Sequence, residues 1–187
     1  VKEGDTLSLG EHTLHFVMAP MVHWPEVMVS YEEKEQVLFS ADAFGKFGAL
    51  DTDEPWTDEA RRYYINIVGK YGAPVQTLLK KAAGLQIRTI CPLHGPILNG
   101  DLTPYLQKYQ TWSSYQPEES GVMVAYASIH GNTAKAAEFL SEQLWELGEQ
   151  VTVLDLTRCD MSDAVQAAFR YDRMVLAAAS YDGGVFL

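Results

Sequence analysis

Residues 122–133, Val-Met-Val-Ala-Tyr-Ala-Ser-Ile-His-Gly-Asn-Thr, decide the fold of the second half of the chain. The run Val122–Ala127 is apolar without alternation, which predicts a strand covered on both faces, as in a parallel sheet. A helix is expected over residues 133–147, closed by Gly148. A second apolar strand, Val151–Leu156, a short helix capped by Ser162 and a third strand, Arg173–Ala179, follow in the same rhythm. Apolar strands separated by helices signal a doubly wound parallel sheet.

Going toward the N-terminus, Tyr115-Gln-Pro-Glu-Glu-Ser120 loses the apolar period and reads as an interdomain linker. Before it the grammar is different. Thr13-Leu-His-Phe-Val, Glu26-Val-Met-Val-Ser-Tyr and Gln36-Val-Leu-Phe-Ser alternate in short runs, with the charged turn Glu32-Glu-Lys-Glu between the last two. These predict antiparallel strands. A helix is expected from Thr57 to about Lys70 and a second between Pro74 and Gly84. Then come a short strand, Ile87–Cys91, a tight loop, Pro92–Pro96, and a helix capped at Thr103-Pro104. The expected organisation is one α/β domain over residues 1–114, a linker over 115–120 and a second α/β domain over 121–187.

Composition narrows the function. The 187 residues are 47% hydrophobic and 21% charged, ordinary values for globular α/β protein. A net charge of -11, with no Lys/Arg stripe, argues against a nucleic-acid partner. No apolar run has the roughly 20 residues of a membrane span, and no leader pattern opens the chain. The two cysteines, Cys91 and Cys159, form no Cys-x-x-Cys word, so a reducing cytoplasm is expected. The chain starts at Val1 in mid-pattern and stops at Leu187 just after a loop signal, so both ends read as cut.

Two kinds of candidate site stand out. Ser128-Ile129-His130-Gly131-Asn132-Thr133 joins a parallel strand to a helix, where hydroxyls, a flexible glycine and unpaired N–H groups meet the positive end of a helix dipole. A phosphate monoester suits such a loop, although an ordinary Ser/Asn/Thr helix cap uses the same residues. One βαβ unit later, Ser180-Tyr181-Asp182-Gly183-Gly184 also leaves the carboxyl end of a strand, where open parallel sheets bind ligands. In the first segment, His23, Asp42 and His94 each lie at a strand end or in a tight loop. Imidazole and carboxylate suit iron, zinc or manganese, and a carboxylate can bridge two metals. Taken singly, each histidine reads better as a hydrogen-bonded loop residue, the reading given to His12 and His15.

Together the words are more specific. Ser-x-x-Gly-Asn-Thr after an apolar strand resembles the FMN-phosphate loop of flavodoxins, with His130 in place of the usual Thr or Tyr. Pro20-Met-x-His-Trp-Pro, Leu38-Phe-Ser-x-Asp-Ala-Phe-Gly and Cys91-Pro-x-His-Gly-Pro resemble the flavodiiron proteins, or A-type flavoproteins. In these a metallo-β-lactamase-like domain precedes an FMN domain. The resemblance covers essentially the whole chain and implies the C-terminal half of an αββα metal domain, followed by the first βαβαβ part of a flavodoxin-like sheet.

The resemblance further implies that His23 and His94 each bind one iron of a di-iron pair, two per subunit, and that Asp42 bridges them. It implies FMN on residues 128–133 and 180–183, with Tyr181 against the flavin ring. Electrons would come from rubredoxin or a flavoprotein reductase, and O2 would be reduced to water or NO to N2O. A head-to-tail homodimer or a tetramer is implied as well. The family's remaining ligands come from a His-x-Glu-x-Asp-His word that these residues do not contain, and Glu26 stands where Asp is often found. Three alternatives stay open: a zinc hydrolase of the glyoxalase II type, a flavodoxin-like electron carrier without gas reduction, and a non-catalytic fragment.

Overall fold

The computed structural model describes residues 1–186; Leu187, the last residue of the segment expected to be flavodoxin-like, lies outside them. The chain divides into two compact units, Val1–Gln116 and Pro117–Leu187.

The first unit is built on one six-stranded sheet in sequence order, β1 (Thr6–Ser8), β2 (Thr13–Met18), β3 (Met28–Glu32), β4 (Val37–Phe39), β5 (Thr89–Cys91) and β6 (Leu98–Asn99). All neighbours are antiparallel except β4 and β5, which run parallel with Phe39 opposite Cys91. Between them come α1 (Trp56–Tyr63) and α2 (Gly72–Ala82), and α3 (Thr103–Ser113) follows β6. The helix expected to run to about Lys70 changes character at Tyr64. Residues 64–68 form a π-helical turn and residues 69–71 a 3-10 turn that leads into α2. Tyr63 and Tyr64 are both buried, Tyr63 against Phe47 and His94, Tyr64 against Tyr109 and Trp112. The core centres on Trp112, Tyr109, Tyr64, Leu38 and Ile90. Thr103 is not the cap of α3; the carboxylate of Asp101 accepts its N–H at 3.0 Å.

The second unit is a parallel sheet in the order β8 (Val151–Asp155), β7 (Glu119–Ala127), β9 (Tyr171–Ala178), with α4 (Asn132–Glu146) and α5 (Met161–Arg170) as crossovers. The apolar run in β7 is explained by its two faces. Met123 and Ala125 pack with Ala167 and Tyr171, while Val122 and Val124 pack with Ala137. β7 also takes in Glu119 and Ser120, which local composition assigned to a linker. Tertiary contacts hold this extension: Arg170 chelates Glu119, and Asp172 accepts the Gly121 N–H at 2.9 Å. Ser162 does not cap α5. Asp160 does, accepting both the N–H and the hydroxyl of Ser162, because a carboxylate there also complements the helix dipole.

Candidate metal centre and phosphate loop

β2 and β4 are both antiparallel to β3, and β5 is parallel to β4, so β2, β4 and β5 end at the same edge of the sheet. His23, Asp42 and His94 stand on the loops that leave those three ends. Asp42 and His94 follow the paired residues Phe39 and Cys91 by equal steps. Their loops run together through Ser40 N–H to Cys91 O and Leu93 N–H to Ala41 O, at 3.1 and 2.9 Å. Left-handed backbone at Met21, Ala41 and Phe44, with φ of 67°, 52° and 67°, shapes the loops around His23 and Asp42. Such strain in non-glycine residues clusters at functional sites.

The three side chains meet. His23 Nε2 lies 3.6 Å from Asp42 Oδ2, and His94 Nε2 lies 3.6 Å from Asp42 Oδ1. Each imidazole thus faces a different oxygen of one carboxylate. The separation is too long for a hydrogen bond, yet allows both atoms to reach one ion at ordinary donor distances of about 2.0–2.2 Å. Among the described residues no three His, Cys, Asp or Glu side chains form a group able to hold a single ion. A carboxylate shared between two positions, each with its own histidine, fits both observations, and this donor set suits a pair of metals with further ligands from elsewhere.

Sequence reasoning did not find the groups that support Asp42. The Tyr63 hydroxyl donates to Asp42 Oδ1 at 3.2 Å. Burial, and then the negative charge of Asp42, push the Tyr63 phenol far above its ordinary pKa, so it remains a donor. Tyr109, fully buried, accepts the Phe44 N–H and stacks on the Phe44 ring, which ties the Asp42 loop to α3. Lys46 is 5% exposed, donates to Phe47 O at 3.0 Å and lies 3.6 Å from Glu54. His23, Asp42, Lys46, Tyr63 and His94 line one cavity of about 570 Å³. A more apolar cleft of about 440 Å³ between α2 and α3 holds none of them.

In the second unit, the sheet order reverses between β7 and β9, and the loops after those strands are the two picked out in sequence. Gly131 is left-handed at φ 82° and its N–H is accepted by Ser128 Oγ at 3.1 Å. A hydroxyl that accepts one hydrogen bond can still donate its own proton. Among the described residues no side chain caps α4; its first-turn N–H groups, with Asn132 and Thr133 beside them, have no intrahelical acceptors. An anion fits there, and residues 128–133 are suited to the phosphate of FMN. Ile129 is half-buried and His130 exposed. Ser180–Tyr181 and Gly184–Val185 are not an open loop but a two-stranded hairpin. Asp182 and Gly183 turn it with φ of 48° and 76°, both positive as a type I′ turn requires. Tyr181 is 66% exposed beside that turn.

Comparison with known proteins agrees with this architecture. Residues 1–95 match the family described as ODP family beta lactamase, a span that contains His23, Asp42 and His94. The rubredoxin-oxygen oxidoreductase of Megalodesulfovibrio gigas is 31% identical, covering 99% of this chain and 48% of that protein. An anaerobic nitric oxide reductase flavorubredoxin of Aeromonas salmonicida is 29% identical, covering 96% of this chain and 37% of its own. The crystal structure of the flavodiiron protein from Giardia intestinalis superimposes with a TM-score of 0.92 at 25% identity, over 100% of this chain and 47% of that one. The chain therefore spans about a third to a half of the length of these relatives. On this match the chain belongs to the flavodiiron proteins, through its ODP family beta lactamase segment.

Proposed function

We propose that the protein containing this chain is a flavodiiron oxidoreductase, in which electrons from rubredoxin or a flavoprotein reductase serve to reduce O2 to water or NO to N2O. The observation that carries the proposal is the Asp42 carboxylate, with one oxygen facing His23 and the other facing His94. When bound, FMN would carry electrons singly or in pairs, and two irons would supply electrons to a diatomic gas, chemistry that zinc cannot perform.

The chain's own residues have definite tasks in this reading. His23 and His94 would each offer one imidazole nitrogen to iron, and Asp42 would offer its carboxylate. Tyr63 holds Asp42, and the cavity in front of them leaves room for a small molecule. The N-terminus of α4, with Ser128, Asn132 and Thr133, holds a phosphate, and the exposed Tyr181 ring offers a flat surface for a flavin. The relatives' names support both gases as substrates, one being an oxygen and the other a nitric oxide reductase. A homodimer or tetramer belongs to the same proposal.

The test uses the intact protein with His94→Ala and Asp42→Ala. Both variants are expected to lose iron and gas reduction while keeping FMN, read by elemental analysis and flavin absorbance on the same samples. Unchanged iron in both variants would remove these residues from the metal site. A zinc-loaded, flavin-free protein would favour the hydrolase alternative.

A further inference from the structure

The structure assigns Tyr63 the role of a positioning residue that fixes the rotation of the Asp42 carboxylate, so that Oδ2 faces His23 and Oδ1 faces His94. The inference rests on the reading of these three side chains as metal donors and adds a residue to it. Rotation of a carboxylate about its last bond is soft. A quarter turn would take both oxygens out of line with both imidazoles. Only Oδ1 accepts the Tyr63 hydroxyl, at 3.2 Å, and this sets the plane of the group.

The hydroxyl is itself placed by packing rather than by Asp42. The Tyr63 ring meets Phe47 edge-on at 5.1 Å and lies tilted against His94 at 5.8 Å. Its third neighbour is Gly45, where a Cβ would come within 3.1 and 3.2 Å of the ring. Gly45 also sends its N–H back to Asp42 O at 3.4 Å. Thus the loop that carries the carboxylate also leaves the space for the ring that orients it. The ring's contact with His94 lets one side chain place two donors. Groups that orient metal ligands in this way typically affect affinity by about 10–100-fold.

The experiment adds Co(II) alone to the protein and measures its dissociation constant and ligand-field absorption in wild type, Tyr63→Phe, Gly45→Ala and Asp42→Ala. Tyr63→Phe keeps the ring and loses only the hydroxyl; it is expected to weaken Co(II) binding about 10–100-fold and to alter the absorption bands, with the thermal midpoint of the metal-free protein retained. Gly45→Ala, which pushes the ring from its place, is expected to change affinity and bands in the same direction with the hydroxyl still present. Co(II) affinity and bands unchanged in Tyr63→Phe, while Asp42→Ala loses binding, would overturn the role of Tyr63 and leave the metal site standing. Unchanged binding in Asp42→Ala would overturn both.

Discussion

The two units build their sites by different means. In the second, the proposed phosphate loop is made by one stretch of chain: a strand ends, Gly131 turns left-handed, a helix begins without a side-chain cap, and Ser128 braces the turn from three residues away. In the first, His23, Asp42 and His94 come from three loops, and the groups holding the Asp42 loop come from helices far along the chain, Tyr63 in α1 and Tyr109 in α3. A local site needs only its own strand and helix. A site assembled from distant loops needs the whole core to be in register, so damage to the core and damage to the site should coincide in the first unit and separate in the second.

Trp112→Ala should produce the largest effect. Trp112 is fully buried among Trp56, Tyr64 and Tyr109, and removing such a side chain typically costs about 3–5 kcal/mol. Chemical unfolding should show that loss together with loss of metal binding, and FMN affinity should change little. FMN binding that fell as steeply as metal binding would contradict the contrast between the units.

Next in size is Thr133→Val. Losing a hydroxyl that donates to a charged phosphate costs about 1–3 kcal/mol, which is roughly ten- to a hundredfold in FMN affinity. Riboflavin has no phosphate and should be almost indifferent. Equal losses for both ligands in a fluorescence titration would exclude the loop as a phosphate site.

Smaller effects test the frame of the second unit. Asp160→Ala removes the cap of α5 and should cost about 1 kcal/mol, read in an unfolding curve. The smallest is a pH effect. The Gly121 N–H, and then Arg173, hold the Asp172 carboxyl below its ordinary value of 3.8. Its stabilising contribution is therefore complete above about pH 4 and is lost as pH falls through the lower native value. Asp172→Asn should flatten the acid limb of the stability profile, and an unaltered limb would show that the contact contributes nothing.

The same contrast explains what was legible in the sequence. The β7 strand and the loop after it were visible because burial on two faces and a strand-loop-helix junction leave their marks on consecutive residues. The three side chains that meet at Asp42 stood out as words around His23, Asp42 and His94. Tyr63 was not, because within Ala60-Arg-Arg-Tyr-Tyr64 nothing separates a tyrosine facing a carboxylate from one facing the core. Lys46 was hidden for a related reason: its burial depends on Phe47, Glu54 and the approach of Gly95, none of which marks a charged residue in advance. Glu119 and Ser120 read as linker because the partners that make them strand, Arg170 and Asp172, lie about fifty residues on. The hairpin at Ser180–Val185 did carry a signal, Asp182-Gly183, which is a preferred pair for a tight β-turn.

The most direct test of the central claim is iron X-ray absorption of the iron-loaded protein, in wild type and in His94→Ala. The account predicts a shell of nitrogen and oxygen donors near 2.0–2.2 Å, with outer scattering from imidazole that diminishes in His94→Ala. Imidazole scattering of equal strength in the two proteins would contradict it.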